Sequence, residues 1–368
     1  MFNSKRRQVL TQIAAGGLAA LTSNARTAYA AIKDEPEPEL KVGVVYVSSL
    51  AEIGWTRQHD LARQAMEAAF NGRVRSTSIE NVAQPADAER VFSQLAAQGH
   101  QLIFGTSFSH TQPLLRVASQ WPDTRFESCS GLQTRANLGT FEARYYEGTY
   151  LAGIAAALKT RSRVLGFIGG FPVPDVIGPA NAFLLGARNV DPSITCKVLW
   201  LNSWFDPGKE REAAHTLIGL GADVLMSMTD TPSTIQVCEE ARVGSIGYAS
   251  DMSRYGPNTC LTSVMLDWSS VYVGAAAAVL KQTWAPASRW DGLAAGVIRM
   301  APYHASLAGA PMQRLADARE RLSTGKQSVF AGPLRDQAGT QRVANGQTLD
   351  GEGIRSMRWL VEGIQGNA

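Results

Sequence analysis

Short apolar, β-branched runs alternate with helical segments along almost the whole chain after residue 40. The first run, 41–47, is continuously apolar like a strand buried in a parallel sheet, and the segment 57–70 that follows has one apolar helical stripe. The alternation continues to about residue 159 and restarts at 164–170. Short connections between such elements favour parallel sheets covered by helices on both faces. Two such runs in tandem predict an α/β protein with two similar lobes.

The predicted lobes divide the chain into segments that follow this repeat. A helix over residues 269–283 is long enough to cross back from the second lobe to the first. Doubly wound sheets bind ligands beyond the carboxyl ends of their strands, so we expect a cleft between the lobes. The predicted divisions are a signal peptide (1–30), a leader (31–40), a first lobe (41–160 and about 267–302) and a second lobe (161–266 and about 303–368).

The first thirty residues have the pattern of an export signal. A basic cluster at 5–7 precedes a short apolar run at 13–21, and Ala28-Tyr29-Ala30 offers small residues before a cut between Ala30 and Ala31. The adjacent arginines resemble the twin-arginine signal, with an ordinary Sec signal as the alternative. We therefore predict a cleaved protein that lies in the periplasm and is not inserted in the membrane.

Charge gives no support for a nucleic-acid-binding surface. The whole chain has Lys+Arg 35 against Asp+Glu 32, a net charge of +3. The predicted signal peptide holds four of the basic residues and no acid, so its removal leaves 31 basic against 32 acidic residues and a net charge of −1. Nucleic-acid surfaces need a clustered excess of positive charge. We expect no nucleic-acid partner.

Aromatic and acidic side chains follow the predicted strands of both lobes. Trp55 and Trp204 lie on loops, one in each lobe, where a planar ligand stacked between the rings or burial against the lobe would explain them. Phe108 follows another strand, where it could also cap a core. Asp251 and Asp230 could accept ligand N–H or hydroxyl donors, or cap the next turn and the next helix. These residues suggest a ligand cleft with aromatic walls.

The motifs of common enzymes and metal sites are missing from the sequence. We find no Gly-x-Ser-x-Gly elbow, no His-Glu-x-x-His and no phosphate-binding or dinucleotide loop. His59-Asp60 could be a base with its orienting acid, but adjacent residues on a helix point apart. We therefore expect no catalysis, no cofactor and no metal. Four cysteines without metal-ligand spacing could be buried free thiols or disulfides of undetermined pairing: Cys129, Cys196, Cys238 and Cys260.

Several motifs occur together between residue 41 and the C-terminus. The most specific are Tyr150-Leu151-Ala152-Gly153 and the turn Trp204-Phe205-Asp206-Pro207. The others are Gly54-Trp55-Thr56 with His59-Asp60, Gly221-Ala222-Asp223-Val224, Ala249-Ser250-Asp251-Met252 and Leu261-Thr262-Ser263-Val264. In combination they resemble the BMP (basic membrane protein) family of ABC-transporter substrate-binding proteins, which includes bacterial purine nucleoside receptors.

The resemblance implies a fold, a ligand and a partner. The fold would be that of a type I-like periplasmic binding protein, with two doubly wound parallel-sheet lobes joined by a hinge of three crossings. The ligand would be a purine held between aromatic rings, and the partner an inner-membrane ABC permease. Trp204 matches the family's stacking aromatic, and Trp55 with Thr56 matches its aromatic–Asn pair after the first strand, with Thr in place of Asn. We also expect a monomer.

Departures from the family pattern bear on the ligand. Family nucleoside receptors usually carry an Asp and a Lys for the ribose, where this chain has Ala249 and Leu266. A family acid is replaced here by Ser130. These differences favour a free purine base such as adenine over a nucleoside. The candidate acids for its N–H groups are Asp251 first, then Glu127 or Asp230.

Three other functions remain open at this point. Related bilobed receptors bind sugars between aromatic faces, so a receptor for a sugar or another small polar solute is the first. An exported nucleoside hydrolase is the second, although it would need a nucleophile or a metal-binding Asp cluster. A sensor subunit that presents its ligand to a membrane kinase is the third.

Overall fold

The computed structural model describes residues 39–367. The strands are β1 (Leu40–Val45), β2 (Val74–Ile79), β3 (Leu102–Gly105), β4 (Arg125–Cys129), β5 (Leu138–Ala143), β6 (Val164–Gly169), β7 (Thr195–Trp200), β8 (Val224–Met228), β9 (Gly244–Ala249), β10 (Cys260–Leu266), β11 (Ser288–Asp291), β12 (Ile298–Met300), β13 (Leu334–Arg335), β14 (Gln341–Val343) and β15 (Ile364–Gln365). The helices are α1 (Trp55–Ala69), α2 (Pro85–Ala97), α3 (Thr111–Gln120), α4 (Tyr145–Ala157), α5 (Pro174–Arg188), α6 (Pro207–Gly219), α7 (Ser233–Ala241), α8 (Ser269–Leu280), α9 (Ala310–Ser323) and α10 (Gly351–Arg355).

The strands form two large sheets. The first has the order β11-β5-β4-β3-β1-β2, and each neighbouring pair is parallel. The second has the order β12-β10-β9-β8-β6-β7-β15, and only β12 runs antiparallel to its neighbour. Helices α2 and α3 pack on one face of the first sheet, and α6 and α7 pack on the second. The predicted α/β fold with two parallel sheets is confirmed.

The apolar runs in the sequence explain why the central strands form where they do. Every residue of β3 is buried, and β1 has a single exposed position, as a strand covered on both faces requires. Prolines begin several helices at a position where the missing N–H costs nothing, among them Pro85 in α2 and Pro207 in α6. Asp206 caps α6 by accepting a hydrogen bond from the Lys209 N–H at 3.0 Å.

Helices α4 and α5 are buried on almost every side and cross in direct backbone contact. A Cβ atom at Gly153 would overlap the Phe183 carbonyl oxygen, and one at Gly186 would overlap the Tyr150 carbonyl oxygen. Glycine is therefore required at both positions. Because α4 follows the first sheet and α5 follows the first strand of the second, this crossing sets the relative position of the residues that begin the two helices.

Within the described residues the chain passes between the two sheets three times. It leaves the first sheet after β5, returns after β10, where α8 packs against α1, and leaves again between β11 and β12. The exact lobe boundaries stay a prediction. The predicted signal peptide and most of the leader lie outside the described residues. None of the helices over residues 39–367 is both long enough and apolar enough to cross a membrane.

Candidate functional site

A cavity lies where the carboxyl ends of strands from both sheets meet, with about 590 Å³ of empty space, part of which is open solvent. Each sheet contributes one wall, as expected for doubly wound sheets. The first wall follows β1, β3, β4 and β5 and consists of Val47, Trp55, Ser107, Phe108, Ser130 and Tyr145. The second wall follows or ends β6, β7, β8 and β9 and consists of Val173, Asp175, Val176, Trp204, Met228, Thr229, Asp230 and Tyr248.

Trp55 is the large ring of the first wall and is held from behind by other aromatic rings. Its indole Nε1 donates to the Thr106 carbonyl oxygen at 2.7 Å. Its ring meets His59 edge-on at a centroid distance of 4.9 Å, and His59 in turn stacks on Trp268 at 5.3 Å. The contacts orient Trp55 without help from a ligand, which is the preorganisation a stacking residue needs.

His59 itself lies behind this wall and not on the cavity. It is fully buried, and its Nδ1 lies 2.9 Å from the Tyr272 hydroxyl. Burial lowers the pKa of His59 to about 3, so the imidazole is neutral. Asp60 accepts hydrogen bonds from Tyr46 and Gln64. The pair supports the aromatic wall and does not face the cavity.

Trp204 is the large ring of the second wall. It packs against Phe171 with ring centroids 5.0 Å apart, and a Cβ atom at Gly170 would overlap its indole. Because Gly170 has no side chain, the Trp204 indole can pack directly against the backbone that follows β6. Trp204 and Trp55 thus present one indole from each side of the cavity.

Asp230 connects the two aromatic walls. Its Oδ1 accepts a hydrogen bond from the backbone N–H of Trp55 at 2.7 Å, and its own backbone N–H donates to the Trp204 carbonyl oxygen at 3.0 Å. The side chain is buried, and desolvation raises its pKa to about 7. A carboxyl group with that pKa can meet a ligand as an acceptor or, when protonated, as a donor.

The segment just before Trp55 also contacts the second lobe. The Gly54 N–H donates to the Ser250 hydroxyl at 3.0 Å, and the Gln58 amide donates to the same oxygen at 2.6 Å. Ile53 packs in a small apolar cluster with second-lobe residues that include Ile235 and Met252. These contacts, together with the Asp230 bond, hold the two walls of the cavity together at this edge.

Two polar groups of the site were not anticipated from the sequence. Asp175 stands in the first turn of α5, which begins at Pro174. Pro174 is the signal that could have placed this helix start, because proline favours the first helical position. Tyr145 begins α4, and its buried hydroxyl has no partner among the described residues. An unpaired buried hydroxyl at the cavity is available for a ligand.

Comparison with known proteins identifies the family. The family model for Bmp, described as ABC transporter substrate-binding protein PnrA-like, matches residues 39–329. The chain belongs to the Bmp family. A purine-binding protein from Brucella abortus is 39% identical over 89% of this chain and 93% of its own length. An ABC transporter glucose-binding protein from Haloferax volcanii is 33% identical over 88% of this chain and 79% of its own length.

Solved structures support the same fold. A solute-binding protein of an ABC transporter system from Aeropyrum pernix aligns with a TM-score of 0.68 at 15% identity, over 86% of this chain and 96% of that one. One from Conexibacter woesei aligns with a TM-score of 0.64 at 22% identity, over 78% and 98%. The Bmp-family chain is thus an ABC transporter substrate-binding protein with the architecture of other solute-binding proteins.

Four of the seven ligand residues predicted for this Bmp protein line the cavity. These are Trp55, Phe108, Trp204 and Asp230. Phe108 lies in a short 3₁₀ turn after β3 and is 49% exposed, which leaves it free to meet a ligand. Whether any of them binds a ligand stays a prediction.

The other three predicted residues have partners elsewhere and do not line the cavity. Thr56 is buried, and its hydroxyl lies 2.7 Å from the Ser48 hydroxyl. Glu127, on β4, accepts from the Trp284 indole at 2.9 Å, and burial raises its pKa to about 7. Asp251 is exposed and accepts a hydrogen bond from the Ser253 N–H at 2.9 Å. It therefore caps the next turn, which the sequence offered as the alternative to ligand binding. The acids that reach the cavity of this Bmp protein are Asp175 and Asp230.

The remaining predictions concern metals, thiols and the ribose positions. Over residues 39–367 there is no group of three or more His, Cys, Asp or Glu side chains placed to hold a metal ion. All four cysteines are buried and unbonded. Ala249 and Leu266 are buried and neither lines the cavity.

Proposed function

We propose that this Bmp-family protein binds a purine base, with adenine favoured, and delivers it to an inner-membrane ABC permease. The observation that carries the proposal is a cavity with an indole on each wall, Trp55 and Trp204, and two carboxyl groups, Asp175 and Asp230. A flat heteroaromatic ring uses such walls well, because stacking on an aromatic side chain contributes about 1–3 kcal/mol per base. The carboxyl groups suit the amino and ring N–H groups at its edge.

The preference for a base over a nucleoside rests on the ribose. Ribose hydroxyls enclosed by the lobes need partners, since each buried unpaired polar group costs about 1–3 kcal/mol. The family resemblance assigns the ribose contacts to Ala249 and Leu266, which offer no hydrogen bond and do not line the cavity. In addition, a free base carries a ring N–H where a nucleoside carries its sugar, and an acidic cavity can accept that donor.

The two relatives from Brucella abortus and Haloferax volcanii suggest two candidate ligands. The purine-binding protein from Brucella abortus is the more similar of the two and is matched over nearly its full length. The glucose-binding protein from Haloferax volcanii favours a sugar as the second candidate. Sugars also lie on tryptophan rings, but their hydroxyls need several polar partners around the whole ring edge. Polar side chains also line the cavity, but Val47, Val176 and Met228 add apolar surface to both walls, which suits a flat ring better than a ring edge of hydroxyl groups.

The proposal includes export to the periplasm by a signal peptide cut between Ala30 and Ala31. A fusion that reports on localisation, compared with the Arg6-Arg7→Lys-Lys variant, tests the twin-arginine route. Loss of export in that variant supports the route. Normal export points to the Sec pathway, and an uncleaved amino terminus on periplasmic protein contradicts the cleavage.

Parallel calorimetric titrations with adenine, adenosine and glucose test the ligand. We expect adenine to bind at least about tenfold more tightly than adenosine, because a site with buried polar groups discriminates strongly, and we expect no binding of glucose. Equal or tighter binding of adenosine would overturn the base preference. Binding of glucose alone would establish the second candidate. Incubation with adenosine should release no adenine, and its release would show a hydrolase instead.

A further inference from the structure

A buried glutamate behind the second wall holds the loop that carries Asp230. Glu210 lies on α6, is fully buried and does not line the cavity. Its Oε2 accepts hydrogen bonds from the Thr229 and Thr231 hydroxyls, both at 2.7 Å. Its Oε1 accepts from the Thr234 backbone N–H at 3.0 Å and from the Thr234 hydroxyl at 2.8 Å. One side chain therefore fixes the connection between β8 and α7 at both of its ends.

Within this loop, Asp230 caps α1, the helix that begins with Trp55. The first N–H groups of a helix have no partner inside the helix, and Gly54, at the cap position of α1, has no side chain to supply one. The Asp230 carboxyl group accepts from the Trp55 backbone N–H at 2.7 Å and so supplies this bond from the other wall of the cavity. An acid suits the position because the N-terminus of a helix is partly positive.

The same loop residue is bound on its other side, so its position depends on where the loop stands. The Asp230 backbone N–H donates to the Trp204 carbonyl oxygen at 3.0 Å. A Cβ atom at Gly54 would lie only 3.0 Å from Asp230 Oδ1, which shows how closely the two segments approach. A shift of the loop would therefore move a carboxyl group of the cavity and the backbone contacts of both tryptophans together.

We propose that Glu210 is a positioning residue for the ligand site, which anchors the loop 229–234 and so places Asp230 both in the cavity and at the N-terminus of α1. The inference rests on the proposed purine function and deepens it, because it names a residue outside the cavity on which ligand affinity depends. Binding groups must be held to within about 0.5 Å of their productive geometry by supporting contacts of this kind.

Substitutions at Glu210 should change adenine affinity although the residue does not touch the ligand. Glu210→Ala leaves the buried donors of the loop without their acceptor, so calorimetry should show adenine affinity lower by at least about tenfold. Glu210→Gln should stay within about threefold of the wild type, because its carbonyl oxygen can accept from the Thr234 N–H and its amide can donate to threonine hydroxyl oxygens. Loss in both variants, or in neither, would overturn the inference.

Glu239 provides the matched control, because it anchors a different turn that lies away from the cavity. It stands on α7 and accepts from the Asn258 backbone N–H at 3.2 Å and from the Thr259 hydroxyl at 2.8 Å. Glu239→Ala should keep adenine affinity within about twofold, as a change away from the site does. Each variant is titrated at a temperature where its thermal melt shows it fully folded. Equal losses in Glu239→Ala and Glu210→Ala would make Glu210 a general stabilising residue and overturn the inference.

Hydrogen exchange of the Trp55 backbone N–H tests the positioning without any ligand. This N–H should exchange at least about tenfold faster in Glu210→Ala than in the wild type, because its acceptor is displaced. It should keep the wild-type rate in Glu210→Gln and in Glu239→Ala. Unchanged exchange in Glu210→Ala would overturn the inference, whatever the ligand of the protein is.

A second variant keeps the test available if Glu210→Ala does not fold. Thr231→Val removes one hydrogen bond to Glu210 at a residue that does not line the cavity. It should accelerate exchange at Trp55 and lower adenine affinity, and an unchanged rate and affinity would overturn the inference. Failure of the wild type to bind adenine would contradict the proposed function, while the exchange rates would still test the placement of Asp230. The two failures are therefore distinguishable.

Discussion

The two walls of the cavity are built from the same kind of strand ends but carry different chemistry. The wall of the first sheet presents rings and hydroxyl groups, with Trp55 and Phe108 as its largest surfaces. The wall of the second sheet adds to its ring, Trp204, both acids of the site, Asp175 and Asp230. This difference suggests that the two walls have different roles in ligand binding. The first wall supplies stacking that any planar ring can use, and the second wall supplies the polarity that chooses among rings.

The walls are not independent, because Asp230 of the second wall accepts a hydrogen bond from the backbone N–H of Trp55 in the first wall. The α4–α5 crossing connects them again, since Tyr145 begins α4 and Asp175 stands in the first turn of α5. Moving the walls apart should therefore disturb both of them, whereas changing one wall at a time should separate their roles.

The largest expected effect comes from separating the walls at the helix crossing. Gly153→Ala places a Cβ against the Phe183 carbonyl oxygen, so α4 and α5 must move apart. We expect a loss of about 1–3 kcal/mol or more in the free energy of unfolding, measured by chemical denaturation. Gly178→Ala, on α5 itself, is the matched control, because its Cβ would meet nothing within 4 Å. A control that destabilises as much as Gly153→Ala would contradict the crossing argument.

The next effect concerns the ring of the second wall. Trp204→Ala should weaken adenine binding by about 1–3 kcal/mol, or roughly ten- to a hundredfold, because it removes one stacking surface. Phe205→Ala serves as the control, since Phe205 is the next residue, is 54% exposed and does not line the cavity. Calorimetry that finds Trp204→Ala unchanged would remove this ring from the site.

A smaller effect is expected from the ring of the first wall. Phe108→Ala should weaken adenine and adenosine binding by the same factor, equivalent to about 0.5–1.5 kcal/mol, because a ring without a polar group has no means of telling them apart. Titration of both ligands measures the ratio. If the ratio of the two affinities changed, the first wall would take part in selection, and the proposed division would fail.

The two sheets also each bury a carboxyl group with a raised pKa, Glu127 in the first and Asp230 beyond the second, both at about 7. A raised carboxyl pKa means that the folded state holds a proton that the unfolded state releases, so stability falls as pH rises from the ordinary value of about 4 to about 7. The part of the melting temperature that these two carboxyl groups contribute should therefore drop between about pH 5.5 and about pH 7.5, against the opposite trend of the buried neutral His59.

Glu127→Gln should reduce this drop, because the amide keeps the acceptor for Trp284 but does not ionise. Thermal melts of both proteins at the two pH values measure the difference. A drop of the same size in the variant would show that Glu127 does not carry its share of the pH dependence.

The smallest effect is expected for Asp251, the first candidate acid for the ligand in the sequence analysis. Asp251→Asn should leave adenine affinity within about twofold, as is usual for a surface change away from any site, because Asp251 is exposed and Asn can cap the same turn. A large loss in calorimetry would return Asp251 to the ligand site.

The residues predicted for the site divide according to how local their determinants are. Trp55, Phe108, Trp204 and Asp230 follow strands whose apolar runs can be read directly, and strand ends of parallel sheets meet at one edge. Asp251 also follows a strand, but its own turn at Ser253 takes the carboxylate away. Sequence position alone could not separate Asp230 from Asp251, because the difference lies in which way each loop leaves its strand.

Local periodicity in the sequence is enough to specify the α/β class, the two parallel sheets and the edge of the sheets where the aromatic rings lie. Which acids face the ligand space depends on how distant segments pack together. Asp175 depends on where α5 begins and on the glycine contact that sets α5 against α4. Glu142 and Arg355, which line a recess beside Asp175, come from segments far apart in the chain. Local sequence patterns do not predict contacts between such distant segments, because these contacts arise from the packing of the two sheets and the C-terminal segment.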